Sequence, residues 1–160
     1  MIKNYTPSEL VLFEEDIAEQ FNNSKIKAPI HLYNGNESQM IQIFEDIKKE
    51  DWIFCTWRSH YQCLLKGVPP ETVKSDILKG KSITLCYPEY KVYSSAIVTG
   101  NIPIATGVAL DIKRKSNSEH VWCFLGDMAS ETGTFFENWK YSVNNDLPIT
   151  YVIENNNKSV

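Results

Sequence analysis

Two groups of polar side chains near the C-terminal end of the sequence could bind a metal ion. Asp127 follows the apolar run VWCFL at 121–125, and Asn155 and Asn156 follow a second apolar run, ITYVI at 149–153. Carboxylate and carboxamide oxygens suit a hard cation such as Mg²⁺, which usually keeps several waters and shares the phosphate oxygens of a bound ligand. If the fold brings the two groups together, the sequence predicts a site for a magnesium ion and a phosphorylated ligand.

The elements around these side chains determine whether they meet. Apolar runs of this length are typical of buried parallel strands, and the residues between them place one stripe of side chains at helical spacing. The stripe consists of Ala129, Thr132, Phe136, Trp139 and Val143. Together these segments predict a βαβ unit, whose two strands end at the edge where open α/β sheets bind ligands. Asp127 and Asn156 should therefore be neighbours, beside the backbone N–H groups that begin the helix at 129–131.

A simpler interpretation stays open on these residues alone. Asp127 could be the N-cap of the helix, and the asparagines could form a polar turn after the second strand. Neither of these roles needs a ligand.

Local sequence signals predict several more elements. A capping box formed by Thr6 and Glu9, with Pro7 at the first helical position, begins the first helix. Apolar spacing and prolines predict helices over 7–21, around 40–47, over 70–80 and over 103–115. The run DWIFCTW at 51–57 is either a strand or a short buried helix, and 82–100 is expected to be extended chain or loop rather than regular sheet.

Length and composition indicate one domain over residues 1–160. Apolar residues make up 42% of the chain and charged residues 22%, as in soluble globular proteins. The net charge of −4 gives no general attraction to nucleic acid or to an anionic membrane. The four cysteines lack metal-site spacing and are expected to be small buried residues in a reducing compartment. Because no apolar run has the length of a signal peptide or a membrane span, a cytoplasmic protein is expected.

Four segments resemble a known family. The pattern GD-x-A-S-x-x-G from Gly126, followed by a helix, LP, a strand and ENN, resembles the thiamine-diphosphate motif. The segments HLYNGNES (31–38), TWRSH (56–60) and SSAIVTGNIPIATGVALDIKRK (94–115) are similar to segments of the alpha subunit of the decarboxylating component of 2-oxo acid dehydrogenase complexes. They fall in family order across roughly residues 5 to 160. The resemblance implies a three-layer α/β fold with a parallel sheet that binds thiamine diphosphate, incomplete at its C-terminal end.

The resemblance also implies roles for individual residues. Mg²⁺ would be held by the side chains of Asp127 and Asn156 and by the backbone carbonyl of Lys158. Arg58 would grip the diphosphate, for which its planar fork is suited, and Trp57 would flank it. The implied cofactor contacts are Trp57, Arg58, Ala96, Val98, Gly126, Asp127, Met128, Ala129, Ser130 and Asn156.

Alternatives stay open for several of these residues. His60 is implied as a catalytic residue that either touches the substrate or supports the residues that do, but a structural histidine is equally consistent with the sequence. Arg58 could be part of a surface ion pair, Val98 could be a core residue, and His31 is expected to be structural. Met128 stands where the family has glycine, so it either adopts an ordinary conformation or crowds the phosphates.

The implied function is that of an alpha-type subunit, or half of one, in an enzyme that decarboxylates a 2-oxo acid and transfers the acyl unit. Family alpha subunits are about twice as long as this chain. A beta-type subunit or a C-terminal half would complete the active site, in a hetero-oligomer or a homo-oligomer. The alternative is a non-catalytic cofactor-binding or assembly module derived from the same family.

Overall fold

A five-stranded mixed sheet forms the centre of the protein. The computed structural model describes residues 5–156, and the sheet order is β2-β3-β1-β4-β5. The strands are β1 (Trp52–Cys55), β2 (Cys86–Tyr87), β3 (Val92–Ser94), β4 (Val121–Gly126) and β5 (Ile149–Glu154). All neighbouring strands are parallel except β2 and β3, which are antiparallel. The expected parallel sheet therefore carries one short antiparallel strand at its edge.

Helices cover both faces of the sheet. One face carries α1 (Pro7–Asn22), α2 (Glu37–Asp46), α3 (His60–Leu65) and α4 (Pro70–Leu78), and the other carries α5 (Asn101–Arg114), α6 (Asp127–Ser130) and α7 (Gly133–Asn144). Alternate residues of each strand enter the two cores: on β4, Phe124 packs on the α1–α4 side, whereas Cys123 and Leu125 pack on the α5 side. This alternation is the expected consequence of the two-residue period of a strand, and it produces the predicted three layers.

The helix signals in the sequence locate most of the helices. The hydroxyl of Thr6 accepts a hydrogen bond from the backbone N–H of Glu9, while the Glu9 carboxylate accepts one from the backbone N–H of Thr6, so the capping box forms. The helix predicted from Pro103 begins two residues earlier, at Asn101.

Three predictions about the elements are wrong in part. The segment 82–100, expected to lack regular sheet, contains β2 and β3, because strands of two and three residues leave too little periodicity to detect. The single helix expected after Asp127 is divided into α6 and α7 at Thr132, whose hydroxyl accepts from the backbone N–H of Phe135 and caps α7. Cys86 is exposed, although the other three cysteines are buried as predicted.

The strand β5 differs from the prediction of a second buried strand. It lies at the edge of the sheet, and most of its residues are only half-buried. The neighbouring helix α7 exposes much of the predicted helical stripe: Phe136 is 54% exposed, Trp139 42% and Val143 57%. Among the helices of residues 5–156, none has the length and apolar character needed to cross a bilayer.

Candidate functional site

The tips of β4 and β5 lie next to each other. The two strands pair in parallel with Gly126 opposite Glu154, so Asp127 and Asn156 follow adjacent strand ends. Both residues line one cleft of about 420 Å³ at this end of the sheet. The structure thus brings together the carboxylate and the carboxamide that the sequence predicted as neighbours.

The cleft contains most of the predicted cofactor contacts. It is lined by His31, Thr56, Trp57, Arg58, Val98, Thr99, Asn101, Leu125, Gly126, Asp127, Met128, Ala129, Glu154 and Asn156. Ala96 and Ser130, also predicted contacts, are not among the lining residues. Lys158, the predicted third metal ligand, lies outside the described residues.

Arg58 is held by the loop that follows β1 and is partly buried. Its Nε is inaccessible to solvent and finds no hydrogen-bond acceptor within residues 5–156. A buried donor without an acceptor costs free energy unless a partner from outside supplies one. Phosphate oxygens are well-matched acceptors for a guanidinium, and Arg58 lines the cleft. Its terminal nitrogens, rather than the buried Nε, could therefore receive a diphosphate.

His31 belongs to the cleft, although the sequence predicted a structural role for it. Its ring lies beside the indole of Trp57, with centroids 5.8 Å apart and planes inclined by 54°. Partial burial, followed by the positive charge of Arg58, lowers the pKa of His31. No local signal in HLYNGNES distinguishes a histidine of the cleft from one that only supports a turn.

The loop between β3 and α5 forms one wall of the cleft. Gly100 lets the loop close tightly, since a Cβ at this position would lie 2.9 Å from the Cβ of Ile97 and 3.0 Å from the Oγ of Ser95. Thr99 takes a φ of 64°, in the left-handed region that favours glycine. Val98 is 53% exposed, so it is not a core residue. Its side chain is available to a ligand or to a partner chain.

Asn101 is a second cleft residue that the sequence did not single out. It is buried at the start of α5, and its Nδ2 donates to the backbone carbonyl of Phe124 at 2.8 Å. This bond fixes the start of α5 to β4, two residues before the end of that strand. The contact joins residues far apart in the sequence, so spacing alone could not reveal it.

The short helix α6 places Asp127 at its first position. Gly126, not Asp127, occupies the N-cap, which argues against the simple capping role. A Cβ at Gly126 would meet nothing within 4 Å, so the fold itself does not require glycine there. Met128 lies within the helical turn and is 49% exposed. It therefore adopts an ordinary conformation, and only its side-chain volume can crowd a ligand.

His60 does not line the cleft. It is fully buried, with Nδ1 3.1 Å from both carboxylate oxygens of Glu14 and Nε2 2.8 Å from the Oγ of Ser82. A catalytic histidine must reach the substrate with a ring atom, and both ring nitrogens of His60 are occupied by protein groups. The geometry corrects the catalytic assignment in favour of the structural alternative.

The chemistry of the donors limits which metal would fit. Within residues 5–156 no three His, Cys, Asp or Glu side chains form a cluster that could hold a metal ion. A carboxylate from Asp127 and an amide oxygen from Asn156 leave the other positions to water and phosphate, as Mg²⁺ prefers. Zinc or another soft metal would require more nitrogen or sulfur ligands.

Sequence comparison identifies the family. The family model described as "Dehydrogenase E1 component" matches residues 7–159. The chain belongs to this family. The match covers nearly the whole chain, including every segment that lines the cleft, and it confirms the resemblance to alpha subunits of this family.

Curated E1 relatives are alpha subunits. The alpha subunit of the pyruvate dehydrogenase E1 component of Porphyra purpurea is 29% identical over 161 residues, covering 90% of this chain and 47% of the relative. The alpha subunit of acetoin:2,6-dichlorophenolindophenol oxidoreductase of Cupriavidus necator is 31% identical over 154 residues, covering 90% of this chain and 46% of the relative. The chain thus spans about half the length of the curated relatives it matches.

A solved structure shows the same fold. A protein of Mycobacterium smegmatis described as a thiamin diphosphate-dependent enzyme matches 74% of this chain and 20% of its own chain, with a TM-score of 0.52 and 12% identity. The likeness confirms the predicted α/β class, and the low identity limits it to the fold.

Proposed function

We propose that this E1-type chain binds thiamine diphosphate and Mg²⁺ in the cleft at the tips of β4 and β5. In this proposal it acts as the diphosphate-binding alpha-type subunit, or half-subunit, of an enzyme that decarboxylates a 2-oxo acid and transfers the acyl unit. The observation that supports this most is the convergence of Asp127, Asn156 and Arg58 on one cleft. Among the relatives, one alpha subunit is named for pyruvate dehydrogenase and another for an acetoin oxidoreductase.

Different residues of the cleft would bind the metal ion and the diphosphate of the cofactor. Asp127 and Asn156 would bind the metal by their side chains, and Lys158 would add its backbone carbonyl. Arg58 would bind the diphosphate through its guanidinium. When bound, thiamine diphosphate supplies a thiazolium carbon that attacks the 2-oxo acid and an electron sink for decarboxylation.

The remaining contacts would fix the orientation of the cofactor. Trp57 and His31 would form an apolar and aromatic wall beside the diphosphate, and Val98 would contact the organic part of the cofactor from the loop before α5. Ala96 and Ser130 would act through backbone groups or through neighbouring residues, because their side chains do not line the cleft. The protein would thus position the cofactor and exclude water around it.

A partner chain is part of the proposal. We place a beta-type subunit or a C-terminal half against this chain, in the cytoplasm, as a hetero-oligomer or a homo-oligomer. The edge strand β5 and the exposed apolar residues of α7 offer it a surface. An unpaired edge next to an exposed apolar helix face is a surface on which proteins associate.

Calorimetric titration of the chain with thiamine diphosphate tests this function. We expect binding that requires Mg²⁺ and disappears with a chelator. Asp127→Ala should weaken it by at least about tenfold, since loss of residues that merely support metal ligands already costs 10–100-fold. Asp146→Ala, at a carboxylate that is 94% exposed and remote from the cleft, is the matched control. Equal affinity of the two variants would overturn the proposed site.

Activity measurements separate the enzyme from the non-catalytic module. We mix the chain with an E1 beta-type protein, the cofactor, Mg²⁺ and a panel of 2-oxo acids, and follow reduction of an artificial electron acceptor. Turnover that Asp127→Ala abolishes supports the enzyme. Cofactor binding without turnover on any 2-oxo acid supports the module.

A further inference from the structure

Three side chains next to Arg58 form a buried hydrogen-bonded cluster, and only one of them, Glu154, also lines the cleft. They are Tyr33, from the turn before α2, Gln62, from α3, and Glu154, the last residue of β5. The hydroxyl of Tyr33 lies 3.2 Å from Oε1 of Glu154, and Nε2 of Gln62 lies 3.3 Å from the same oxygen. Gln62 also donates to the Tyr33 hydroxyl.

Tyr33 contacts both the backbone and the guanidinium of Arg58. The Tyr33 hydroxyl donates to the backbone carbonyl of Arg58 at 2.9 Å. The Cζ of the Arg58 guanidinium lies 5.7 Å from the centre of the Tyr33 ring, within the range of a cation–π interaction. One side chain therefore restrains both the backbone and the charged group of Arg58.

The Tyr33 side chain is itself firmly held. Its ring stacks on that of Tyr61, with centroids 4.6 Å apart and planes inclined by 12°, and it is 6% exposed. The contact between the Tyr33 hydroxyl and Oε1 of Glu154 joins the turn before α2 to the end of β5, two residues before Asn156. The cluster thus links the segment that carries Arg58 to the segment that carries a proposed metal ligand.

We infer that Tyr33 is a positioning residue that holds the Arg58 guanidinium ready to receive an anionic ligand, with Gln62 and Glu154 fixing the Tyr33 hydroxyl. The importance of this contact for cofactor binding rests on the function proposed above. A free arginine loses considerable rotamer freedom when it binds a phosphate. A restraint that is already present in the free protein removes part of that cost, which strengthens binding.

Two substitutions, each of which removes one buried tyrosine hydroxyl, distinguish positioning of the Arg58 guanidinium from a general loss of stability. Tyr33→Phe removes the hydroxyl that contacts Arg58 and Glu154. Tyr61→Phe removes a neighbouring buried hydroxyl, which donates to Oε1 of Glu37 at 3.0 Å, and leaves the contacts of Arg58 unchanged. Tyr61→Phe loses this one hydrogen bond, whereas Tyr33→Phe loses the contacts of its hydroxyl with Arg58, Gln62 and Glu154. We therefore expect both variants to lose thermal stability, with the larger decrease in Tyr33→Phe.

The first measurement uses the free protein. The sequence contains only two arginines, Arg58 and the exposed Arg114 on the last turn of α5, so two Nε–Hε signals are expected in a ¹⁵N NMR spectrum. We expect the Arg58 signal to exchange slowly with water in the unaltered protein and in Tyr61→Phe, and to exchange at least about threefold faster in Tyr33→Phe. Equal exchange in the two variants would overturn the inference.

The second measurement uses thiamine diphosphate with Mg²⁺. Tyr33→Phe should raise the Kd about three- to tenfold, the range that corresponds to loss of one hydrogen bond, whereas Tyr61→Phe should change it less than twofold. In an Arg58→Lys background, Tyr33→Phe should have no further effect, because Tyr33 acts through Arg58. A merely structural tyrosine would weaken binding by the same factor in both backgrounds, and that result would contradict the inference.

The two proposals fail in different ways. If the unaltered protein does not bind thiamine diphosphate with Mg²⁺, the proposed function is wrong, while the dependence of the Arg58 signal on Tyr33 still decides whether Tyr33 positions the guanidinium. If the cofactor binds and Tyr33→Phe behaves like Tyr61→Phe, the inference alone is wrong.

Discussion

The cleft residues differ in what holds them in place. Arg58 is restrained by Tyr33, and Asn101 is fixed by its bond to the carbonyl of Phe124. Met128 and Val98 are about half exposed. The polar residues Arg58 and Asn101 are thus held by contacts within the protein, whereas the apolar side chains of Met128 and Val98 have fewer restraints.

At the residue scale, Met128→Ala tests whether the methionine crowds the cofactor. Because Met128 is 49% exposed, we expect the free energy of unfolding to change by less than about 0.5 kcal/mol. Shortening a side chain that lines the cleft should lower the Kd for thiamine diphosphate a few-fold. Ile97→Ala, at an exposed residue of the neighbouring loop that does not line the cleft, is the control. Unchanged affinity of Met128→Ala would show that its volume does not obstruct binding.

At the element scale, the sequence predicts the parts of the fold that have strong local signals. The capping box of α1, the apolar run of β4 and the basic end of α5 all lie where their residues indicate. The strands β2 and β3 are too short for periodicity to predict. The edge position of β5 depends on strand order, which the composition of ITYVI does not encode.

The candidate site, like the fold, could be predicted from the sequence only in part. Asp127 and Asn156 could be paired from the sequence because a βαβ unit fixes the relative position of its two strand ends. His31, Asn101 and Tyr33 could not be assigned, because their roles depend on contacts with residues 20 or more positions away.

Lys66, which connects α3 to the turn before β1, should make the stability of the fold depend on pH. Nζ of Lys66 donates to the backbone carbonyls of Lys48 at 2.6 Å and Lys49 at 3.1 Å. Burial lowers the pKa of Lys66 to about 8, from an ordinary value of 10.5. Between these values the unfolded chain binds more protons than the folded chain, so the stability contributed by this residue rises with pH. Below about pH 8 both states are protonated, and the contribution is constant.

The Lys66→Met variant should lack this dependence. Between pH 7.5 and 9.5 we expect the unaltered protein to gain about 1–2 kcal/mol in free energy of unfolding relative to the variant. Urea denaturation of both proteins at the two pH values measures the difference, and other titrating groups cancel in the comparison. A difference that stays constant with pH would contradict the assignment.

At the scale of the whole molecule, the two faces of the sheet are unequally covered. The α1–α4 face has a core that includes fully buried residues such as Leu10, Ile17 and Tyr61. On the other face, α7 buries only Ser142 and exposes Phe136, Trp139 and Val143 beside the edge strand β5. Exposed apolar patches of this kind mark surfaces for association.

This asymmetry predicts self-association of the isolated chain. Sedimentation velocity should show concentration-dependent association of the unaltered protein, reduced by Trp139→Lys because a charge then lies in the centre of the apolar face of α7. Leu12→Lys is the matched control: Leu12 is 61% exposed on α1, on the opposite face of the sheet. Equal association of the two variants would show that α7 is not the surface involved.

The most direct measurement for the whole account is the position of a bound metal ion. Crystals grown with thiamine diphosphate and Mn²⁺, which can replace Mg²⁺ and scatters anomalously, would reveal it. We expect one anomalous peak within coordination distance of a carboxylate oxygen of Asp127 and the amide oxygen of Asn156, with the diphosphate completing the coordination. A peak that neither residue contacts, with the diphosphate bound elsewhere or not at all, would contradict the proposed metal and cofactor site.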